Sequence, residues 1–499
     1  MKEPLLLIAI TLLGLGLRLI HLGTRNLWYD EAFAILYAEK SLATMIHGTA
    51  AQVQGVAADV HPLLYYFSLH YWMSLLGQSV FALRLLSVIF GVATVVLVFL
   101  LAGELFDRRT GLKAALLTAV APFHVSYSQE ARMYSLLCFL SLLAVYFFVR
   151  AWRRGGLRNW TGFVVAATLS LYAHNLAFLP LLTLDLFVLL KREWRLIKPL
   201  FLSHLGMAVL FAPWLSLVPG QFGKVRQAYW VPRPGLAELI RTLMVFHFNL
   251  PVPEWLLPVV LFFSLLILAL AVYRMVRVRG RSAERKDSLY LVLLLAFLPV
   301  ALMFVISQFK SVYIERGVLP AAVAYYILIA AVLAEVRISR TAAAVVSTPV
   351  LTVLVISLVY QYTYAGFPRS PFKEAVAYLR EHYRTGDAIV HDNKLTFFPC
   401  YYYDRDLPQD FVPDSVGAGS DTLALPTQEA LGLFATPLEE ATAGHERVWF
   451  VIFQRAFEES WFRELGYTEH PDKAWLEARY RQADLVTFND LNVYLYEAP

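Results

Sequence analysis

Charged side chains that can carry chemistry occur as short groups between long apolar stretches. Asp30 and Glu31 follow the first stretch, Glu130 and Arg132 separate two later ones, and Arg316 precedes another. A carboxylate can accept a proton from a reacting group, and a guanidinium pairs with phosphate through two parallel hydrogen bonds. An ionisable residue beside a membrane segment indicates a functional site by default. These residues are therefore candidates for a functional site.

Membrane helices are the elements that must position these groups. Of the 499 residues, 58% are hydrophobic and 16% are charged, which is too much apolar surface for a water-soluble fold to bury. A bilayer core of about 30 Å requires roughly 20 apolar residues in a helix. We therefore predict a polytopic α-helical membrane protein with about eleven spans. The predicted spans are Pro4–Leu22, Ser79–Ala102, Gly111–Ser126, Ala131–Val149, Asn159–Tyr172, Asn175–Leu190, Pro199–Val218, Trp255–Tyr273, Leu289–Ser307, Gly317–Ala334 and Thr341–Tyr362.

Lysines and arginines predict the orientation, because cytoplasmic loops are enriched in them. With the N-terminus inside, the inner segments carry 20 Lys and Arg and the outer loops carry nine. The net charge of +5 thus arises from residues beside apolar segments, and no nucleic-acid partner is predicted. The N-terminus is predicted to be cytoplasmic in a cell inner or plasma membrane. Asp30, Glu130 and Arg316 then face the extracytoplasmic side.

The first outer loop, residues 23–78, contains an apolar run at Pro62–Gly77 that resembles a span. If this run crossed the bilayer, every later loop would change sides and the basic segments would lie outside. Its Tyr65, Tyr66 and Trp72 are typical of the membrane interface. We therefore predict interfacial helices in this loop.

The composition changes after the last span, where charged residues, prolines and turns become frequent. Lys373–Tyr383 has helical periodicity, and Asp387–His391, Arg447–Phe453 and Asn492–Tyr496 have the pattern of short strands. The predicted organisation is a transmembrane catalytic domain over residues 1–362 and an extracytoplasmic α/β domain over residues 363–499.

Each polar group also has a structural interpretation. Asp30 and Glu31 suit the first turn of a helix, where acids oppose the helix dipole. Glu130 with Arg132 suits an interfacial polar pair. A single histidine is more often a hydrogen-bonded loop residue than a ligand. Two further arginines, Arg18 and Arg84, lie within spans and are assigned no chemistry. Function is favoured because the outer groups converge at one membrane level.

Five short motifs occur in a fixed order, and the set resembles the GT-C superfamily of membrane glycosyltransferases that use polyprenyl-phosphate-linked sugars. That superfamily includes protein O-mannosyltransferases and the lipid A aminoarabinose transferase. Leu63 replaces a proline of the usual pattern, and Gly317 stands where an aromatic residue usually follows the arginine. The motifs are Tyr29-Asp30-Glu31, His61-Pro62-Leu63-Leu64-Tyr65-Tyr66, Ser128-Gln129-Glu130-Ala131-Arg132-Met133-Tyr134, Tyr172-Ala173-His174 and Glu315-Arg316-Gly317-Val318-Leu319-Pro320.

The resemblance implies an inverting glycosyltransferase that moves a sugar from a polyprenyl-phosphate donor to an extracytoplasmic acceptor. The acceptor class stays open among protein, lipid and polysaccharide. Asp30 is the predicted base, and Glu31 shares that role or orients another group. The predicted donor- and phosphate-binding residues are Arg132, Arg316, Glu130, Tyr134 and Lys310.

Glu130 has three possible roles at this stage: holding Arg132, binding a sugar hydroxyl, or joining His61 or His174 as a ligand of a divalent metal ion. Metal binding is implied only by the resemblance, since no ligand spacing in the sequence requires it. No other cofactor is predicted, because the sequence has neither a dinucleotide-type glycine loop nor a phosphate-binding P-loop.

A polytopic transporter or a flippase for lipid-linked sugars is the alternative function. Such proteins are typically built from internal repeats, with broken helices near the bilayer midplane. The sequence shows no repeat, and its acidic groups are predicted at the interface. The glycosyltransferase is therefore the favoured interpretation.

Overall fold

The computed structural model describes residues 2–53, 56–227, 231–277, 282–334, 340–414, 422–459, 461–464 and 466–499. The first part of the chain is helical apart from a two-stranded hairpin, β1 (Gln52–Val53) and β2 (Val56–Ala57). Its helices are α1 (Lys2–Leu19), α2 (Tyr29–Ala38), α3 (Leu42–Ala50), α4 (Leu64–Leu76), α5 (Val80–Leu105), α6 (Arg108–Val120), α7 (Pro122–Ser128), α8 (Tyr134–Arg154), α9 (Leu157–Ala173), α10 (Phe178–Leu190), α11 (Ile197–Leu215), α12 (Val218–Gln227), α13 (Leu236–Phe248), α14 (Leu257–Arg277), α15 (Ala283–Phe309), α16 (Leu319–Ala334) and α17 (Arg340–Thr363).

The predicted apolar segments all coincide with helices or with consecutive helices of this part, which supports a polytopic helical membrane protein. Within the described ranges, six helical segments are long and apolar enough to cross a membrane by length and composition. The span count and the orientation stay predictions, and residues 278–281 and 335–339 of the inner basic segments lie outside the described residues. The six segments are Val80–Leu105, Tyr134–Arg154, Trp194–Leu215, Glu254–Tyr273, Ala283–Phe309 and Glu315–Ala334.

The third predicted span is broken between α6 and α7. Pro122 has no amide hydrogen, so the carbonyl of Thr118 cannot receive its usual helical hydrogen bond. The guanidinium of Arg18 donates to the carbonyl oxygens of Thr118 (3.3 Å) and Ala119 (3.0 Å). Arg18 is fully buried and also contacts Nδ1 of His124 at 2.6 Å. Its role is therefore structural, because it satisfies carbonyls that the break releases.

The run Pro62–Gly77 forms α4, which has 13 residues. At 1.5 Å per residue this helix extends about 20 Å, which is short of the roughly 30 Å of a bilayer core. It packs against α2, α5 and α9 with Tyr65 and Tyr66 buried, while Tyr71 is exposed. This length and packing are compatible with a helix that does not cross; its placement at the interface stays a prediction.

The later part of the chain forms a five-stranded mixed sheet with the strand order β4-β3-β5-β7-β6. β3 pairs in parallel with β4 and β5, whereas β7 is antiparallel to β5 and β6. The predicted strands correspond to β3, β5 and β7, and the predicted helix to α18; β4, β6 and the remaining helices were not predicted. The elements are α18 (Phe372–His382), β3 (Ala388–His391), α19 (Lys394–Tyr403), β4 (Gln409–Phe411), α20 (Leu425–Leu431), α21 (Leu438–Ala441), β5 (Arg447–Phe453), α22 (Trp461–Glu464), α23 (Pro471–Glu477), β6 (Arg481–Phe488) and β7 (Leu491–Glu497).

The sheet region packs on the helical part through α19 and α20. Phe398 of α19 lies edge-on to Tyr29 of α2, with the ring centroids 5.6 Å apart. α20 packs against α3 at Gly48, where an added Cβ would stand 2.5 Å from the Cβ of Ala430. Thr427 also donates to the Gly48 carbonyl at 2.9 Å. This close approach requires glycine in α3 and fixes the sheet region beside α2.

Candidate active site

A cavity of about 1080 Å³ lies between the helical part and the sheet region. The carboxyl ends of the parallel strands contribute to its wall, which is a common location for ligand sites in α/β sheets. Glu31 and Lys310 do not line it. The other predicted site residues do, and these are Asp30, His61, Glu130, Arg132, Tyr134, His174 and Arg316.

Asp30 occupies the first turn of α2 and faces the cavity. Its Oδ2 lies 3.2 Å from Nη1 of Arg316 and 3.9 Å from Nε of Arg132. The carbonyl oxygen of Asp30 also accepts a hydrogen bond from Arg132 Nη1 at 3.2 Å. The side chain of Asp30 is 14% exposed, so the carboxylate is largely shielded yet open to the cavity. One carboxylate and two guanidinium groups thus lie together in the cavity wall.

Arg316 is held between two aromatic rings. Its guanidinium carbon lies 5.3 Å from the ring centroid of Trp28 and 5.3 Å from that of Tyr134. Both separations are within cation–π range. A short 3₁₀ turn, Glu315–Val318, carries Arg316 from the end of α15 to the start of α16. The rings therefore orient the cation toward Asp30 without neutralising its charge.

Glu31, next to Asp30 in sequence, is completely buried and lies in a different environment. Arg84 of α5 binds it through two contacts of 2.8 Å, and Arg369 adds an ion pair of 3.1 Å. The amide of Ala131 donates to Glu31 Oε1 at 2.9 Å. Burial alone would raise the pKa of Glu31, but Arg84 and then Arg369 lower it to about 2. Glu31 is therefore a fully engaged anion that orients neighbouring groups.

Glu130 is paired with Arg369 rather than with Arg132. Its Oε1 lies 2.7 Å from Nη2 of Arg369, and among the described ion pairs none joins Glu130 to Arg132. The interpretation that Glu130 holds Arg132 is therefore wrong, because the described ion pair of Glu130 is with Arg369 and that of Arg132 is with Asp30. Burial raises the pKa of Glu130 above its usual value, against the lowering effect of Arg369.

His61 and His174 line the same wall, with ring centroids 6.3 Å apart. Nδ1 of His61 contacts Oδ1 of Asp59 at 2.9 Å. Nδ1 of His174 accepts the amide hydrogen of Leu176 at 3.0 Å. Burial, together with nearby His61, lowers the pKa of His174 to about 3, so the ring is neutral and carries its proton on Nε2. A protonated Nε2 can donate to a substrate oxygen but cannot bind a metal ion.

The predicted metal set of His61, His174 and Glu130 is not assembled. In the part of the chain that the structure describes, no three His, Cys, Asp or Glu side chains are grouped to hold a metal ion. Glu130 Oε1 is occupied by Arg369, and the lone pair on Nδ1 of the neutral His174 ring is engaged by the Leu176 amide. These side chains do not fit a three-ligand metal centre in this arrangement.

Lys310 does not belong to the cavity wall, which corrects its assignment to the donor site. It is the C-terminal cap of α15, and its amide donates to the Ile306 carbonyl at 3.1 Å. Residues 311–314 have neither helical nor strand structure and separate Lys310 from the turn that carries Arg316. Sequence proximity to Arg316 was therefore misleading. Tyr134, by contrast, both lines the cavity and packs on Arg316.

Sequence reasoning assigned no site role to several arginines, among them Arg84, Arg369 and Arg25, the last of which lines the cavity. The sequence places Arg84 within a span. A buried charge there requires a partner, and Glu31 in the preceding loop is a candidate. Arg369 had no signal, because it follows the last span in a segment without periodicity. The cavity also includes unpredicted polar residues from the sheet region, among them Asp392, Lys394, Asp414, Arg455 and Asp472.

Sequence comparisons match part of the helical region. Residues 60–217 match the family of dolichyl-phosphate-mannose-protein mannosyltransferases. The chain is 29% identical over 225 residues to the undecaprenyl phosphate-α-4-amino-4-deoxy-L-arabinose arabinosyl transferase of Pseudomonas paraeruginosa. That match covers 42% of this chain and 40% of the relative.

Solved structures share the fold over nearly the whole chain. ArnT from Cupriavidus metallidurans bound to undecaprenyl phosphate has a TM-score of 0.60 at 13% identity, covering 98% of this chain and 97% of that one. The oligosaccharyltransferase AglB from Archaeoglobus fulgidus, in complex with an inhibitory peptide and a dolichol-phosphate, has a TM-score of 0.58 at 13% identity, covering 99% and 74%. The chain therefore shares the fold of these two structures. Together with the partial sequence matches, this likeness confirms the predicted resemblance to the GT-C superfamily.

Proposed function

We propose that this protein transfers a sugar, with inversion, from a polyprenyl-phosphate donor to an extracytoplasmic acceptor. The observation that carries the proposal is the position of the Asp30 carboxylate, 3.2 Å from Arg316 in a cavity that also contains Arg132. Sugar transfer from a lipid phosphate needs a base for the acceptor and cations for the leaving phosphate. Here the Asp30 carboxylate lies within 4 Å of both guanidinium groups, at 3.2 Å from Arg316 and 3.9 Å from Arg132.

Asp30 is the proposed base. It takes the proton from an acceptor hydroxyl or amine as the acceptor atom forms a bond to the anomeric carbon on one face of the sugar. The bond from that carbon to the phosphate oxygen breaks on the opposite face, and the electron pair leaves with the lipid phosphate. Arg132 and Arg316 stabilise the phosphate through charge-assisted hydrogen bonds. One displacement of this kind inverts the anomeric centre.

The ion pair between Asp30 and Arg316 would change when the donor binds. A sugar phosphate diester is an anion that competes with Asp30 for the guanidinium of Arg316. When Arg316 turns toward the phosphate, Asp30 loses its nearest counter-charge and becomes a stronger proton acceptor. Donor binding would thus free the Asp30 carboxylate from Arg316 before the acceptor is deprotonated.

The donor class is supported by the names of the matched proteins. The curated relative is named as an undecaprenyl-phosphate-linked sugar transferase, and the two structures above contain undecaprenyl phosphate and dolichol-phosphate. The predicted orientation agrees, because an enzyme whose site faces outward requires a sugar carried across the bilayer on a lipid. No step is assigned to a metal ion, since the histidines and Glu130 do not fit one.

The test uses the full-length protein in lipid nanodiscs with a panel of polyprenyl-phosphate sugars. Asp30→Asn should keep donor binding and lose sugar transfer, whereas Asp406→Asn, at a side chain that is 92% exposed, should transfer normally. Normal turnover by Asp30→Asn would eliminate Asp30 as the base. Movement of intact lipid-linked sugar across the bilayer without bond cleavage would favour the transporter or flippase instead.

A further inference from the structure

Arg369 belongs to none of the motifs recognised in the sequence, yet it contacts two of their acids. It lies six residues after the end of α17, between the helical part and α18. Nη1 is 3.1 Å from Glu31 Oε2, and Nη2 is 2.7 Å from Glu130 Oε1. The side chain of Arg369 is only 6% exposed. One guanidinium thus bridges carboxylates from two separate segments of the helical part.

The bridge connects the two segments that carry the proposed base and a phosphate ligand. Glu31 immediately follows Asp30 in α2, and Glu130 precedes Arg132 by two residues. The Ala131 amide donates to Glu31, and Arg132 donates to the carbonyl of Asp30. Movement of the loop relative to α2 would therefore change the distance from Asp30 to Arg132.

Arg369 supplies the described ion pair of Glu130, in a group of charges that also includes Arg84 and Arg25. Two buried carboxylates, Glu31 and Glu130, face two buried guanidinium groups, Arg84 and Arg369. Without Arg369, Glu31 keeps Arg84, but Glu130 loses its described ion-pair partner. Removing one partner of a buried pair leaves an uncompensated charge, which its surroundings move to accommodate.

We infer that Arg369 is a positioning residue for sugar transfer: it bridges Glu31 and Glu130 and so fixes Asp30 relative to Arg132. The inference rests on the proposed function. It assigns to the start of the sheet region a part in catalysis, although Arg369 neither accepts the proton nor needs to contact the donor. Docking of that region thereby completes the active site.

Arg405 provides a matched control. It also joins the sheet region to α2, through ion-pair contacts of 2.6 and 2.9 Å with Glu39, but its side chain is 42% exposed and does not line the cavity. Arg405→Gln removes a link between the same two parts at the rim. Arg369→Met removes the buried link beside Asp30. A general loosening of the interface would lower kcat in both variants, whereas a positional role beside Asp30 lowers it only in Arg369→Met.

The kinetic test measures kcat and the KM for the donor. Arg369→Met should lower kcat by about 100-fold, the scale of a 1 Å misplacement of a reacting group. The donor KM should change less than about threefold, because Arg132 and Arg316 remain to bind phosphate. Arg369→Lys keeps the charge but not the two-pronged geometry, and it should recover part of kcat. Arg405→Gln should match the wild type in both constants.

Hydrogen exchange gives a readout that does not depend on transfer. The amides of residues 29–33 and 129–134 should exchange faster in Arg369→Met than in the wild type or Arg405→Gln. Wild-type kcat and exchange in a folded Arg369→Met would overturn the inference. If that variant does not fold, wild-type kcat in Arg369→Lys would overturn it equally. If the wild type transfers no sugar while exchange still responds to Arg369, the proposed function fails and the positional role remains.

Discussion

The first turn of α2 presents two adjacent carboxylates to two unlike regions of the molecule. Asp30 faces the cavity, where its described side-chain contacts are the ion pairs with Arg316 and Arg132. Glu31 points into the protein and has no exposed surface. There it forms ion pairs with two arginines and accepts a hydrogen bond from a backbone amide. Successive helical residues point about 100° apart, so adjacent acids cannot share one pocket. One carboxylate is left available for chemistry while the other holds the helix in place.

The largest expected effect concerns stability on the Glu31 side. Glu31→Gln leaves Arg84 and Arg369 buried without their shared anion. Breaking a buried pair in this way costs about 3–5 kcal/mol of the free energy of unfolding. Unfolding of the purified protein, followed by tryptophan fluorescence in a denaturant series, measures this loss.

Asp30→Asn is the matched variant on the cavity side and should destabilise the protein less than Glu31→Gln, because Asp30 and both of its arginine partners line the cavity. Equal destabilisation by the two variants would contradict the division between a catalytic and a structural acid.

The next largest effect is the pH dependence of stability, which tests whether buried Glu31 is ionised. Because the folded-state pKa of Glu31 is about 2, below the ordinary 4.5, its stabilisation is fully present above pH 4.5. It is lost as the pH falls from about 4.5 toward 2, where the folded state also takes up the proton. The difference in unfolding free energy between the wild type and Glu31→Gln should therefore shrink across this window. A difference that is constant with pH would show that the Glu31 carboxylate is not the ionised group.

A smaller effect is expected for Arg316, which is proposed to bind the donor phosphate. Arg316→Ala should weaken donor binding by about 10- to 100-fold, because one charge-assisted hydrogen bond contributes about 1.5–3 kcal/mol. Equilibrium binding of a fluorescent polyprenyl-phosphate sugar measures it. Arg241→Ala, at a 60% exposed side chain paired with Glu315, is the control and should bind normally. Unaltered affinity in Arg316→Ala would dismiss the phosphate role.

The smallest effect tests the aromatic support of Arg316. Tyr134→Leu removes one of the two rings that hold the guanidinium, at a cost of about 0.5–1 kcal/mol. Donor affinity should then fall by about threefold, while Tyr134→Phe, which keeps the ring, should retain it. Equal losses in the two variants would mean that the Tyr134 hydroxyl, rather than its ring, serves the site.

The sequence predicted the cavity residues better than their pairings. Asp30, Arg132 and Arg316 converge because each follows or precedes a helix end at the same level, which apolar periodicity can locate. Partner choice depends on side-chain direction and on segments far apart in the chain. Glu130 therefore pairs with Arg369, which is 239 residues away, rather than with nearby Arg132. Local spacing contains no information about such a contact.

Elements were predicted where their pattern was regular and missed where it was short or interrupted. β3, β5 and β7 are mostly apolar, almost entirely buried strands in the middle of the sheet. β6 is an edge strand whose side chains are mostly exposed, so it has no buried face to give it a pattern. The break at Pro122 was missed because the apolar composition continues through it. Helices α12 and α13 lie in a loop that was predicted only as an outer connection.

The strand order has a practical consequence for anyone who labels or immobilises this protein. The cavity receives the carboxyl ends of β3, β4 and β5, whereas β6 lies two strands beyond, at the opposite edge of the sheet. The side chain of Leu485 on β6 is exposed. A dye or spin probe attached there would report the motion of the sheet region without entering the cavity.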